Sequence, residues 1–455
     1  MSDIVRIGNG QGFWGDDIDA PVRLAAGGRI DFLTLDYLAE VTMSILAKQR
    51  ARDADAGYAR DFVDVVTQLA DVWREQPNLV VIANAGGLNP QGCAYACIER
   101  LRSAGLTGMR VGVVTGDDLM PSMDRFIADG HNFSNLETFE LIDFVRDRLV
   151  TANAYIGAEP IVEAISQGAN LIITGRVADP SMTVAPAAAR FGWSADDHQR
   201  LAGATVAGHL IECGTQVTGG IFTHWDEIPD PANIGYPIVE VDDDGNCVVT
   251  KPDGTGGCVT SETVKEQLVY ELGDPAAYLS PDVTVDFTTL TAEEVGHDRV
   301  AVRGATGRPP PDTYKVSATY HDGYRATGTL TLVAPRASEL GIRCGEIVQE
   351  RVRRAGYHLE EFSVECIETF TLMSPPVKSE DDAGEVTLRM TAKDPRRAAI
   401  ERFTKEIVPL VTTGPQGITG YAAGRPKVQE VFAYWPTLIE RRLIQPDVRV
   451  VEVGS

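Results

Sequence analysis

Polar side chains that could move protons or bind an anion follow short apolar runs in the first half of the chain. Asp36 follows Phe32–Leu35, Asn84 follows Leu79–Ala83, Asp117 and Asp118 follow Val111–Gly116, and Arg176 and Asp179 follow Leu171–Gly175. Open α/β sheets bind ligands beyond the carboxyl ends of their parallel strands. Converging ends would therefore gather carboxylates for proton transfer, the Asn84 amide for a developing enolate oxygen and Arg176 as an anion clamp. Gly86 and Gly87, just after Asn84, would let backbone N–H groups approach a bound carbonyl or carboxylate. Each residue also has a plainer use: Asp179 before Pro180 suits a helix cap, Asp117 and Asp118 suit a solvated loop, and Arg176 suits an internal ion pair.

A second group is His209-Leu-Ile-Glu212-Cys213. Helical spacing puts all three functional side chains on one side, where His224 or Asp226 could complete a metal site, or His209 and Glu212 could form an acid/base pair. The same residues also read as a helix end stopped by Gly214, with Cys213 as a small buried hydrophobe. No basic neighbour lowers the Cys213 thiol, so a covalent role is disfavoured.

Gly10-Gln-Gly12-Phe-Trp-Gly15 matches a dinucleotide fingerprint, with Asp36 near the place of the ribose-binding acid. Asp16, Asp17 and Asp19 would repel a pyrophosphate, and Pro21 with Gly27-Gly28 leaves little room for a regular crossover helix. A glycine-rich turn at a pocket edge is the favoured reading, and no cofactor or bound metal is expected. Near the C-terminus, Gly414–Lys427 combines glycines with Arg425 and Lys427, a pair that could hold the phosphates of coenzyme A or form an isolated basic turn.

The elements that must position these residues show a change of pattern along the chain. Strands are expected at Ile4–Ile7, Phe32–Leu35, Leu79–Ala83, Val111–Thr115, Ala154–Ile156 and Leu171–Thr174. Helices are expected at Ala59–Arg74, Cys93–Ser103, Pro160–Gln167, Ser181–Arg190 and Gln199–Cys213. Such alternation predicts an α/β fold, a mostly parallel sheet with helices on its faces. Pro237–Val241 and Cys247–Thr250 flank an acidic turn, Tyr314–Tyr320 and Tyr324–Val333 flank Asp322-Gly323, and strands recur at Ser363–Phe370, Glu385–Thr391 and Val428–Tyr434, with a helix at Pro395–Leu410. This half predicts a smaller α+β domain with antiparallel strands. With the boundary in Ile221–Gly235, the domains are 1–225, carrying the active site, and 226–455.

Lys and Arg total 41 against 65 Asp and Glu over 455 residues, a formal charge of −24 that argues against nucleic-acid binding. A hydrophobic content of 44% excludes wholesale disorder, and the 7 cysteines lack the dense spacing of a disulfide framework. No signal peptide is read at the N-terminus and no apolar span is of membrane-crossing length, so a cytoplasmic protein without a membrane partner is expected. A homo-oligomer is the base-rate expectation for an enzyme of this size.

Ile7-Gly-Asn-Gly-Gln-Gly-Phe-Trp-Gly-Asp-Asp17, Phe32-Leu-Thr-Leu-Asp-Tyr-Leu-Ala-Glu40 and Ile173-Thr-Gly-Arg-Val-Ala-Asp-Pro-Ser181 resemble the acyclic terpene utilization family, AtuA. That resemblance implies bacterial catabolism of citronellol- and geraniol-type compounds, whose intermediates are branched acyl-CoA thioesters. Some relatives carry a further small C-terminal domain, which, if it is required here, is expected as a separate small partner subunit. The expected function is a lyase-type enzyme, a hydratase or carbon–carbon lyase acting through a thioester enolate. Asp36, Asp179 or His209 would move the proton, Asn84 would stabilise the enolate and Arg176 would hold an anion, while Gly86, Gly87, Arg425 and Lys427 would bind substrate. The alternatives are a metal-assisted hydrolase using His209, Glu212 and Cys213, and a non-catalytic acyl-CoA-binding or scaffold subunit.

Overall fold

The structure, a computed structural model, describes residues 4–368, 384–420 and 424–454. The chain divides into two compact units, Met1–Thr319 with Tyr434–Ser455, and Tyr320–Ala433.

The first unit is built on a large mixed sheet. Its parallel strands are β1 (Ile4–Asn9), β2 (Phe32–Leu35), β3 (Val80–Ala83), β4 (Arg110–Thr115) and β5 (Leu171–Thr174), side by side in the order β1-β2-β3-β5-β4. All four residues of β2 and all four of β5 are buried, as expected where helices cover both faces and apolar runs replace alternation. Antiparallel strands extend the sheet: β6 (Ile238–Asp242) pairs with β1, followed by β7 (Cys247–Thr250), β9 (Arg299–Arg303) and β8 (Thr291–Gly296), while Asp447–Glu452 closes the opposite edge on β4.

Helices α1 (Ala20–Gly27), α2 (Glu40–Arg52), α3 (Asp61–Glu75) and α4 (Pro90–Ser103) share a hydrophobic core with Leu33, Leu35, Val81, Ala83 and Ile173 of the sheet. In α3, Phe62, Val65, Val66, Leu69 and Val72 are all buried, and each full side-chain burial stabilises by roughly 1.5–3 kcal/mol. After α5 (Glu159–Ser166), α6 (Ser181–Phe191) packs against β1 and β2, and α7 (His198–Ile211) against β6 and β7.

The second unit has its own antiparallel sheet. Gly384–Asp394 pairs with Glu361–Glu368 on one side and with Tyr324–Ala334 on the other, and the helices Ala337–Arg354 and Arg397–Ile407 share a core with Leu330, Leu388 and Met390. The α/β sheet with helices and the separate antiparallel sheet agree with the class expected from sequence.

Several boundaries differ. Residues 225 and 226, the expected domain border, lie inside the first unit, because β6 hydrogen-bonds directly to β1. The crossover helix thought to lack room exists as α1, with Pro21 in its first turn, where a missing N–H costs nothing. Ala154–Ile156 is displaced by a strand at Leu149–Ala154. No hairpin forms at Asp322-Gly323: Thr313–Ala334 is one strand, and Asp322 pairs with Lys393 Nζ at 2.6 Å. Residues 369 and 370 of the expected Ser363–Phe370 strand, and 421–423 of the glycine-rich Gly414–Lys427 segment, lie outside the described residues. Among the described residues, no helix is long and apolar enough to cross a membrane.

Candidate functional site

The parallel order sets the carboxyl ends of β2, β3, β5 and β4 in a row, so the polar residues after them meet. Asp36 leaves β2 only 6% exposed, and Asn84 leaves β3 fully buried. Asn84 Nδ2 donates to Asp36 Oδ1 at 2.6 Å, while its Oδ1 accepts the Tyr37 N–H at 2.7 Å. Both polar atoms of Asn84 thus bond to the β2 end, and one of its two Nδ2 hydrogens is committed to fixing Asp36. Burial and the nearby Asp179 charge push the Asp36 carboxyl well above its usual range, outweighing Arg176 and Asn84, with Glu212 adding to the rise.

Arg176 is the hub between the strand ends. Its backbone N–H donates to Asp117 Oδ2 at 2.8 Å, and Asn153 Nδ2 donates to the same oxygen at 2.8 Å. Asp117 is therefore a buried anchor rather than a solvated loop residue, and burial raises its carboxyl to about 6 against these bonds. The guanidinium reaches Leu38 O and Asp179 Oδ1, the latter at 3.0 Å, and lies 4.1 Å from the Tyr155 ring centroid. With 3% exposure, Arg176 acts as an internal counter-ion rather than an open clamp. Pro180, not Asp179, is the residue before α6, and no side-chain bond caps that helix. A charge-assisted contact with Arg176 is worth more to the Asp179 carboxylate than a cap. Burial raises Asp179 despite Arg176, with Glu40 contributing to the rise.

The third member arrives from the end of α7. Asn9, at the carboxyl end of β1, donates from Nδ2 to Ile211 O at 2.6 Å and Glu212 O at 2.9 Å. Next to it, a Cβ on Gly12 would lie 2.8 Å from the Cys213 carbonyl carbon, and the Gly12 N–H donates to Asp16 Oδ2 at 3.0 Å. The glycine loop is thus filled by the chain's own backbone. His209 is 1% exposed, with Nε2 3.0 Å from Gln267 O and Nδ1 3.4 Å from Glu212 Oε1. Burial opposes a charged His209 ring, but the bond and charge of Glu212 raise its pKa overall. Burial likewise raises Glu212 and the Cys213 thiol, leaving the thiol a poor nucleophile.

Gly86, Gly87, Arg425, Lys427, His224 and Asp226 are the other residues expected to contact substrate or metal. Gly87 donates its N–H to Asn84 O at 3.2 Å, and a Cβ on Gly86 would lie 2.6 Å from Thr174 O, so Gly86 serves close packing of the β3 end on β5, while a Cβ on Gly87 would meet the Leu46 side chain and Gly57 O. Arg425 and Lys427 are exposed in the second unit and make no ion pair among the described residues. His224 and Asp226 are exposed, and no group of His, Cys, Asp and Glu among the described residues is arranged to hold a metal ion.

The site also contains residues that were not singled out from sequence. Tyr155 donates its hydroxyl to Glu40 Oε1 at 2.8 Å, and Lys315 Nζ lies 3.7 Å from that oxygen and 4.9 Å from the Tyr155 ring centroid. Glu40, four residues after Asp36 at the start of α2, had a positional signal; Lys315, on a strand remote in sequence, had none.

The family model for acyclic terpene utilisation family protein AtuA matches residues 5–450. No curated protein and no solved structure matches the chain. The family match spans the sheet, the strand-end carboxylates and the second unit, and on it the chain belongs to the acyclic terpene utilisation family AtuA.

Proposed function

We propose that the protein is a lyase-type enzyme that hydrates or cleaves branched or terpenoid acyl-CoA thioesters by acid–base chemistry at the strand-end carboxylates. The observation that carries this reading is Asp36, a buried acid fixed by Asn84 at the carboxyl edge of the parallel sheet and held toward its protonated form by burial and Asp179. Carboxyl groups forced to share one region separate into an acid and a base.

In this reading, an ionised carboxylate, Asp179 or Glu212, removes the proton beside the thioester carbonyl. The electron pair moves onto the carbonyl oxygen as an enolate. Its return expels hydroxide from the β-carbon, protonated by neutral Asp36 and released as water; hydration is the same sequence reversed. For carbon–carbon cleavage the carboxylate instead takes the β-hydroxyl proton, the Cα–Cβ bond breaks to leave a carbonyl fragment and the thioester enolate, and neutral Asp36 protonates the enolate carbon. Arg176 favours the ionised form of its partner Asp179 against the effect of burial, and His209 orients Glu212. The metal-assisted alternative draws no support from His209, whose two ring nitrogens face Gln267 and Glu212.

Incubating the protein with branched saturated, unsaturated and hydroxylated acyl-CoA esters, read by mass spectrometry, tests the proposal. Gain or loss of water, or a shortened acyl group, is expected, with Asp36→Asn lowering kcat by about 10²–10⁴. Binding without turnover across the panel, or turnover unchanged in Asp36→Asn, would overturn it.

A further inference from the structure

An anionic substrate needs a cation it can touch, and the site's central guanidinium is not one. Arg176 is 3% exposed, is held by Asp179 and Leu38 O, and has the Tyr155 ring across its face. Another cation near this group is Lys315. Its side chain is 47% exposed, and its ammonium lies 4.9 Å and 5.9 Å from the ring centroids of Tyr155 and Tyr434. Glu40 Oε1 stands 3.7 Å away, too far for a hydrogen bond, and already accepts the Tyr155 hydroxyl. No hydrogen bond to the Lys315 ammonium occurs among the described residues, so its donors remain available within a fixed aromatic frame.

We propose that Lys315 is the binding residue for an anionic oxygen of the substrate, a carboxylate or a phosphate, and that Glu40 competes with that oxygen for the ammonium. The proposal rests on the acyl-substrate reading above and names the contact that reading lacks once Arg176 is buried. The two side chains form an exposed lip, since Glu40 is 40% exposed. The incoming anion takes the place of a weak ion pair, so little must be broken to admit it. Tyr155 links this lip to the interior, with its ring against Arg176 and its hydroxyl on Glu40.

The test is calorimetric binding of isovaleryl-CoA, isovalerate and the phosphate-free isovaleryl N-acetylcysteamine thioester to the full chain. Lys315→Gln is expected to weaken anion binding by about tenfold or more, Lys315→Arg to retain most of it, and Glu40→Gln to tighten it several-fold. A loss confined to isovaleryl-CoA identifies phosphate as the partner; a loss extending to isovalerate identifies carboxylate. The opposed effects of the Lys315 and Glu40 variants would not arise from a merely structural pair. Wild-type binding that Lys315→Gln leaves intact, with an unchanged melting temperature, overturns the Lys315 assignment alone. Absence of wild-type binding to all three probes overturns both it and the acyl-substrate reading.

Discussion

Asn84 Nδ2 donates to Asp36 Oδ1 at 2.6 Å across the adjacent ends of β3 and β2, while Asn84 Oδ1 takes the Tyr37 N–H. This bond fixes one acid of the site without exposing it. Asn84→Ala would leave the Tyr37 N–H and the Asp36 carboxyl without this partner in a fully buried place. The expected cost is about 1–3 kcal/mol, read as a lower urea midpoint. Activity in the acyl-CoA assay should fall with kcat rather than KM, because the acid loses its orientation. An unchanged midpoint would show that the bond contributes nothing to the strand ends.

Asp117 gives the fold a pH dependence of defined sign. Burial raises its carboxyl from 3.8 to about 6, against the bonds from Arg176 N and Asn153. Between those values the folded protein holds a proton that the unfolded chain releases, so this contribution to stability is full below pH 3.8 and is lost as pH rises toward about 6. The span corresponds to about 3 kcal/mol at most. Asp117→Asn keeps an acceptor for both donors and removes the titration. Its stability advantage over the wild type should therefore grow from pH 4.5 to pH 7.5, measured by urea unfolding, and a constant difference would contradict this origin.

The strand-end geometry was legible where physics is local. Phe32–Leu35 and Leu171–Thr174 are short runs buried on both faces, so composition alone set their limits, and the polar residue after each had to lie at the sheet edge. What required the three-dimensional structure was competition. Arg176 looks like a clamp until Asp179, Leu38 O and Tyr155 surround it, and Asp322-Gly323 looks like a hairpin until Tyr324–Ala334 finds the remote partner Gly384–Asp394. Lys315 enters from a strand far along the chain, a placement no local spacing encodes.

His209 and Glu212 form a coupled pair whose charge is readable by NMR. Burial disfavours a charged His209 ring, but the bond and charge of Glu212 hold its pKa above the usual value. Glu212→Gln keeps an oxygen near Nδ1 and removes the charge, leaving burial as the larger effect. The ring should then titrate at a lower pH than in the wild type. A titration that stays in place would separate His209 from Glu212 and remove the orienting role assigned to it.

The glycine loop after β1 distinguishes packing from nucleotide binding. A Cβ on Gly12 would meet the Cys213 carbonyl carbon at 2.8 Å and Gly214 N at 3.0 Å, both backbone atoms that cannot swing aside. Gly12→Ala must therefore push the end of α7 away from β1, straining the Asn9 bonds to Ile211 O and Glu212 O. Overpacking of this kind costs about 1–3 kcal/mol. The same displacement moves Glu212 relative to Asp36, so kcat in the acyl-CoA assay should fall along with the melting temperature. Were the loop a phosphate cradle, NAD would raise the melting temperature of the wild type by binding only the folded chain. With the Gly12 N–H committed to Asp16 Oδ2 and Cys213 filling the approach, NAD is expected to leave it unmoved. A thermal shift with NAD, abolished by Gly12→Ala, would return the loop to the role its sequence pattern suggests.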